Sequence, residues 1–256
     1  MLPLKDNIPT RVFPIVTVVI ILINVVVYFG LEKGGFSDVG NQKAVIEYSF
    51  IPYELSHQGK ECAQVGNQIA CGTKPELRSV GADTQQPNVF LTIFTAMFMH
   101  GSLLHIGGNM LFLWIFGNNI EDAMGRLKFL GFYLGGGIAA ALAQFAIGTN
   151  SVTPTLGASG AIAAVLGGYA LLYPRARVIT LIFIIFFVTV IELPALLVLG
   201  GWFVLQLIDA SSQPLTGGGV AYFAHIGGFL FGLLAVKLLA SRYDPDYDRH
   251  NRLPVY

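Results

Sequence analysis

Gly157-Ala158-Ser159-Gly160 and Ala224-His225-Ile226-Gly227-Gly228 are the stretches on which the reading of this chain turns. The first sets a hydroxyl between glycines where an apolar helix begins. The second sets an imidazole where another apolar helix begins. What these groups are for depends on the medium around the two helices.

That medium is lipid. Of 256 residues, 54% are hydrophobic and only 12% are charged, whereas a soluble domain carries about 25% charged residues. A core of this size cannot hide so much apolar surface, so a multi-span membrane protein is expected. Net charge is zero and the basic residues form no dense run, which removes the electrostatic footing for nucleic-acid binding. The first apolar segment, Val12–Leu31, exceeds a signal-peptide core in length. No small-residue cleavage site follows it, so it is read as retained.

Six helices are predicted: Val12–Leu31, Ser102–Asn118, Lys128–Gly148, Gly157–Tyr173, Pro194–Ile208 and Val220–Ala240. Each approaches the ~20 residues that cross the hydrocarbon layer. The fold class is therefore an all-α membrane protein: residues 1–11 before the bundle, 12–240 within it, and 241–256 as a tail. The apolar, β-branched and aromatic stretch from Val178 to Glu192 has an open path. It could extend the fifth helix, re-enter the membrane, or lie along the interface as a separate segment, and the helix-breaking Pro194 favours the last.

Orientation follows Lys and Arg. Lys5, Arg11, Arg126, Lys128, Arg175, Arg177, Lys237, Arg242, Arg249 and Arg252 fall on one side; Lys33, Lys43, Lys60, Lys74 and Arg78 fall in one long loop on the other. This places both termini in the cytoplasm, and a prokaryotic inner or plasma membrane is the expected location. The first loop, residues 32–101, is then external. It holds Cys62 and Cys71, which can close a small disulfide loop in an oxidising compartment or remain unpaired thiols. Its apolar flanks, Ala44–Leu55 and Val89–Met99, are suited to touch the membrane surface. His57 alone beside the cysteines is too little for a metal site.

Depth links the polar residues. Helices two, four and six run the same way across the membrane. Each carries its unusual side chains near its outer end: His105 and Asn109, Ser159, and His225. At 1.5 Å per residue all lie within roughly 12 Å of the outer surface. A serine hydroxyl is a weak nucleophile until a base takes its proton. Gly157 and Gly160 let a peptide backbone approach Ser159, and the open N–H groups of the helix start suit a developing oxyanion. Ala224, Gly228 and Gly232 make a small-residue ridge matching Gly160, Ala164 and Gly168, which would bring helices four and six together. Four apart on one face, His105 and Asn109 can add oxyanion donors. His100 is read as structural or peripheral. Glu121, Asp122 and Arg126 are spaced for a local ion pair in the turn after helix two. No carboxylate is expected at the depth of Ser159, so packing must orient the imidazole.

The chain resembles the rhomboid family of intramembrane serine proteases over about Val12–Ala240. The resemblance rests on His105-x-x-x-Asn109, Gly157-x-Ser159-Gly160 and Ala224-His225-x-x-Gly228-x-x-x-Gly232. The turn Gly117-Asn118-Asn119-Ile120-Glu121 with Arg126 also resembles the family's segment after helix two. It implies a rhomboid-like six-helix bundle, with Ser159 as nucleophile and His225 as general base. Asn109 and His105 would stabilise the oxyanion. The implied substrates are single-span or membrane-anchored proteins, cut within or near their transmembrane segments in the lipid bilayer, without metal or cofactor. Three departures stand out. The Trp-Arg pair that many members carry is absent near Val89–Thr92, and Ala163 replaces the aromatic residue that some members stack on the histidine. The first loop is enlarged around Cys62–Cys71. The rival classes are a catalytically silent helix-recognising scaffold, which would not need both Ser159 and His225, and a small transporter or proton channel using His105 and His225.

Overall fold

The computed structural model describes residues 2–34, 42–66, 68–184, 187–212 and 221–245. It is mostly helical. Among the described residues, two helices are long and apolar enough to cross a membrane alone, Arg126–Ile147 and Tyr222–Leu239. A third candidate is a pair, Val89–Phe98 and Leu103–Met124, bent by 82°. Ile15–Leu31, Ser159–Leu172 and Ala195–Ser211 are shorter apolar helices. Val220, expected to open the last helix, most of the loop Asp209–Gly219, and the tail beyond residue 245 lie outside the described residues.

The all-α expectation needs correction, because two small sheets are present. Strand β1 (Leu2–Asp6) pairs antiparallel with β4 (Arg177–Ile184), which pairs antiparallel with β5 (Phe187–Pro194). The ambiguous stretch is thus a β-hairpin, a segment separate from the fifth helix and not an extension of it. Its Val, Ile and Thr residues suit a pleated strand, and pairing satisfies the backbone groups that a lone interfacial segment would leave to water. Pro194 ends β5, and helix α10 (Ala195–Ser212) starts immediately after it. The second sheet is a hairpin of β2 (Glu61–Val65) and β3 (Gln68–Gly72) in the first loop. Cys62 stands opposite Cys71 there, and the two are joined as a disulfide. Short helices α2 (Gln42–Tyr48), α3 (Pro52–Ser56), α4 (Lys74–Ser79) and α5 (Val89–Thr95) complete that loop. Helix α5 buries Ile93 against Phe50 and Ala141 and leaves Phe90 and Leu91 exposed.

Helix α1 (Ile15–Val26) begins after Pro14 and has no side-chain cap of its own. Its open N–H groups are met from elsewhere. Glu121 accepts from the Val16 N–H at 2.9 Å, and from the Thr17 N–H and hydroxyl at 2.8 Å each. Glu121 lies in α7 (Asn118–Met124), which prolongs α6 (Leu103–Phe112) through a π-helical turn, so helix two runs six residues past its expected end. Neither acidic residue makes the expected local pair with Arg126. Asp122 binds Arg11 at 3.0 Å instead, and Arg11 reaches the Arg242 carbonyl, which ties both ends of the chain to α7. A carboxylate beside an uncapped helix start is drawn to those N–H groups more strongly than to a solvated arginine on its own turn.

Asp6 in β1 is buried, and its carboxylate accepts from Asn119 Nδ2 at 2.6 Å and from the Tyr169 hydroxyl at 2.5 Å. Burial pushes Asp6 up from 3.8 to about 7 against those bonds. An acid whose pKa is raised by folding leaves stability intact below its unfolded value. Stability then falls as pH rises toward the folded value. Asn in place of Asp6 keeps the carbonyl acceptor and removes the charge. We expect Asp6→Asn to match the wild type near pH 4 and to melt progressively higher up to pH 8. The difference should reach on the order of a few kcal/mol. Melting curves across that range check it; a constant offset at every pH would contradict it.

Candidate active site

Helix α9 (Ser159–Leu172) is the centre of the molecule, buried along nearly its whole length. It is flanked by α8 (Arg126–Ile147) and α11 (Tyr222–Leu239), and small residues set the separations. A Cβ on Gly228 would fall well inside contact with the Gly160 carbonyl oxygen, and one on Gly232 inside that of Ala164. The two ridges face each other over this stretch, while Gly168 meets Val236. Helix α8 joins the same packing, with Gly136 against Ala164 and Ala140 against Gly160, a contact that the sequence reading missed.

At the first-loop end of this pair, Ser159 Oγ and His225 Nε2 are 2.7 Å apart. His225 is buried, and its Nδ1 lies 2.6 Å from Gln206 Oε1 on α10. An amide oxygen only accepts, so Nδ1 carries the proton and Nε2 is free to accept from the serine hydroxyl. In this tautomer the imidazole can take the Ser159 proton as the oxygen becomes a nucleophile. The Trp202 ring, also from α10, packs beside the imidazole, 5.7 Å between centroids and tilted by 39°.

Gly157 has φ +118°, a region that side chains rarely adopt, and a Cβ there would lie 2.8 Å from His105 Nε2. This conformation turns the chain into α9 beside the His105 ring, so Gly157 lets the start of α9 approach α6 closely. The first-turn N–H groups of α9, like those of any helix, have no intrahelical partner, and no N-cap side chain meets them. His105 accepts from the Gly101 N–H at Nδ1, over 3.4 Å, which leaves Nε2–H as a donor. Asn109 Nδ2 donates to His100 Nε2 at 2.9 Å and keeps its second N–H. His105, Asn109, Ser159 and His225 all line one cavity of about 580 Å³. Leu104, Phe112 and Trp202 form part of its apolar wall, and Pro154–Leu156 another part. The latter segment is bridged to the first loop through Phe50 and Thr155.

Two residues change rank. Of the two readings of His100, the structure supports the structural one over the peripheral one: it is 1% exposed, its backbone N–H meets both Glu32 oxygens at 3.0 and 3.1 Å, and its ring holds Asn109. The bend between Phe98 and Leu103 brings it there, and helical periodicity cannot be followed across such a bend. Gln206 was passed over. It lies toward the first-loop end of the fifth helix, so the depth argument that linked the other polar residues would have found it.

A family profile described as Rhomboid domain matches residues 87–242, more than half of the chain. Rhomboid protein 1, mitochondrial, of Saccharomyces cerevisiae is 32% identical over 155 residues, covering 56% of this chain and 40% of that protein. Presenilin-associated rhomboid-like protein A, mitochondrial, of Danio rerio is 34% identical over 146 residues, covering 56% and 36%. Rhomboid protease GluP of Bacillus subtilis is 40% identical over 81 residues, covering 32% and 15%. The chain thus spans less than half the length of these relatives. The expected prokaryotic membrane is corrected by them, since the relatives matched over half of this chain are named as mitochondrial proteins. With the serine, the histidine and their cavity all inside the matched span, the chain belongs to the rhomboid domain family.

Proposed function

We propose that this protein is an intramembrane serine endopeptidase that cuts single-span or membrane-anchored proteins within or near their transmembrane segments. The observation that carries the reading is the 2.7 Å hydrogen bond from Ser159 to His225 at the wall of an apolar cavity. In the proposed arrangement six helices cross the bilayer. The site opens toward the first-loop side, and both termini lie on the other. The bent pair and the three shorter apolar helices, added to the two long ones, supply the six.

A helical peptide bond is shielded by its own hydrogen bonds, so the substrate must unwind near the cut. Its unwound segment enters the cavity. Neutral His225 takes the Ser159 proton at Nε2, and Oγ bonds to the scissile carbonyl carbon. The oxyanion is held by the first-turn N–H groups of α9, His105 Nε2–H and the spare Asn109 N–H. His225 returns the proton to the departing amine nitrogen and leaves an ester on Ser159. A water from the first-loop side gives its proton to His225 and its oxygen to the ester carbon. Departure of Ser159 Oγ with that proton restores the dyad.

A fluorophosphonate probe tests the nucleophile. The expected result is one covalent adduct, mapped by mass spectrometry to the peptide containing Ser159. An adduct at another serine, or none on the folded protein, would defeat the assignment.

A further inference from the structure

We infer that Gln206 is a positioning residue for the base: it holds His225 in the tautomer and rotation that face Ser159, and so makes base competence depend on where α10 sits. The inference rests on the dyad reading above. Both partners of the 2.6 Å contact are buried, Gln206 at 7% exposure and His225 at 9%. Among the described residues no carboxylate is bonded to the imidazole. Gln206 therefore occupies the place that a third, acidic member fills in a serine–histidine–aspartate triad. Its own orientation is set by a long bond from Nε2 to the Trp202 carbonyl, 3.5 Å, one turn earlier on α10. That leaves Oε1 directed at Nδ1. Trp202 and Gln206 are four residues apart and share one face, so α10 supplies both the ring packed near the imidazole and the acceptor that fixes its rotation.

An amide in this position orients without adding charge. In an apolar site a carboxylate would itself need pairing, and its burial would be costly. A neutral acceptor fixes the tautomer at little desolvation cost, with less support for the imidazolium that forms during attack. The outer face of α10 is apolar and exposed at Leu197, Val204 and Ile208, so the base is tied to a helix that lies at the rim of the bundle. If α10 shifts away from α11, the acceptor leaves Nδ1 and the imidazole loses its fixed rotation.

The test compares Gln206→Met, close in shape but with no acceptor, with Gln206→Glu, close in shape with the acceptor kept. It uses the full chain in liposomes and reads Ser159-dependent fluorophosphonate labelling against probe concentration. Gln206→Met should lower the maximal labelling rate roughly 10- to 100-fold, with the half-saturating probe concentration unchanged. Gln206→Glu should return the rate to within a few-fold of wild type. A general packing defect would move both parameters and would not be rescued by a carboxylate. If Gln206→Met does not fold by melting analysis, Gln206→Asn replaces it; its carbonyl falls one methylene short and the same loss is expected. A folded Met or Asn variant that labels at the wild-type rate overturns the inference, as does a folded Glu variant that fails to restore it. Absence of Ser159-dependent labelling in the wild type would instead overturn the dyad reading itself.

Discussion

Reconstituted with a single-span substrate, Ser159→Ala and His225→Ala should each lower cleavage by about 10⁴-fold or more, and the double variant should be no worse than either. The reason is mutual dependence. Without His225 the hydroxyl keeps its proton in a site with little water to take it. Without Ser159 the imidazole has no nucleophile to activate. Removal of oxyanion donors is a smaller loss, and Asn109→Ala is expected to cost about 10²- to 10³-fold, since the α9 backbone and His105 remain. Appearance of the cut product, measured by gel and mass spectrometry, separates these ranks. Cleavage near the wild-type rate in either single dyad variant would remove the catalytic reading and leave a binding function for the same cavity.

The second large effect lies in a residue that touches no substrate. A Cβ at Gly232 meets the Ala164 carbonyl oxygen and backbone, which cannot rotate away as a side chain can. Gly232→Val therefore forces α9 and α11 apart. We expect a loss of about 3 kcal/mol, seen as a melting temperature lowered by roughly 6–12 °C. Activity should fall by more than about 10²-fold, because Ser159 and His225 sit on the two helices being separated and misplacement by an ångström suffices. Gly200→Ala is the control. Nothing lies within 4 Å of a Cβ there, and alanine suits a helix interior better than glycine, so stability should hold or rise slightly. Equal damage from both substitutions would show that helix flexibility, not close approach, is what these glycines supply.

Small residues at four-residue spacing make a ridge on any helix. The match between the Gly160 ridge and the Gly228 ridge was therefore readable before the helices were seen together. The two sheets were less so. Val178–Glu192 has the composition of a strand, but an apolar run of that length beside membrane helices reads equally as a lipid-facing segment. The deciding partner, β1, lies more than 170 residues earlier in the chain. Glu121 likewise has Asp122 and Arg126 as near neighbours in sequence, and only the folded chain brings the start of α1 to it.

By itself the sequence determined an apolar, mostly helical membrane class and singled out Ser159 and His225 as the candidate pair, because hydropathy, charge and residue type are local properties. The tertiary structure decided what surrounds the pair. It set the Gln206 acceptor behind His225, moved His100 inward onto Asn109, and turned Gly157 beside His105. Each of these depends on helices meeting at a given height and rotation. That is fixed by which glycines allow close contact across the bundle, a relation between distant segments that no single stretch of sequence contains.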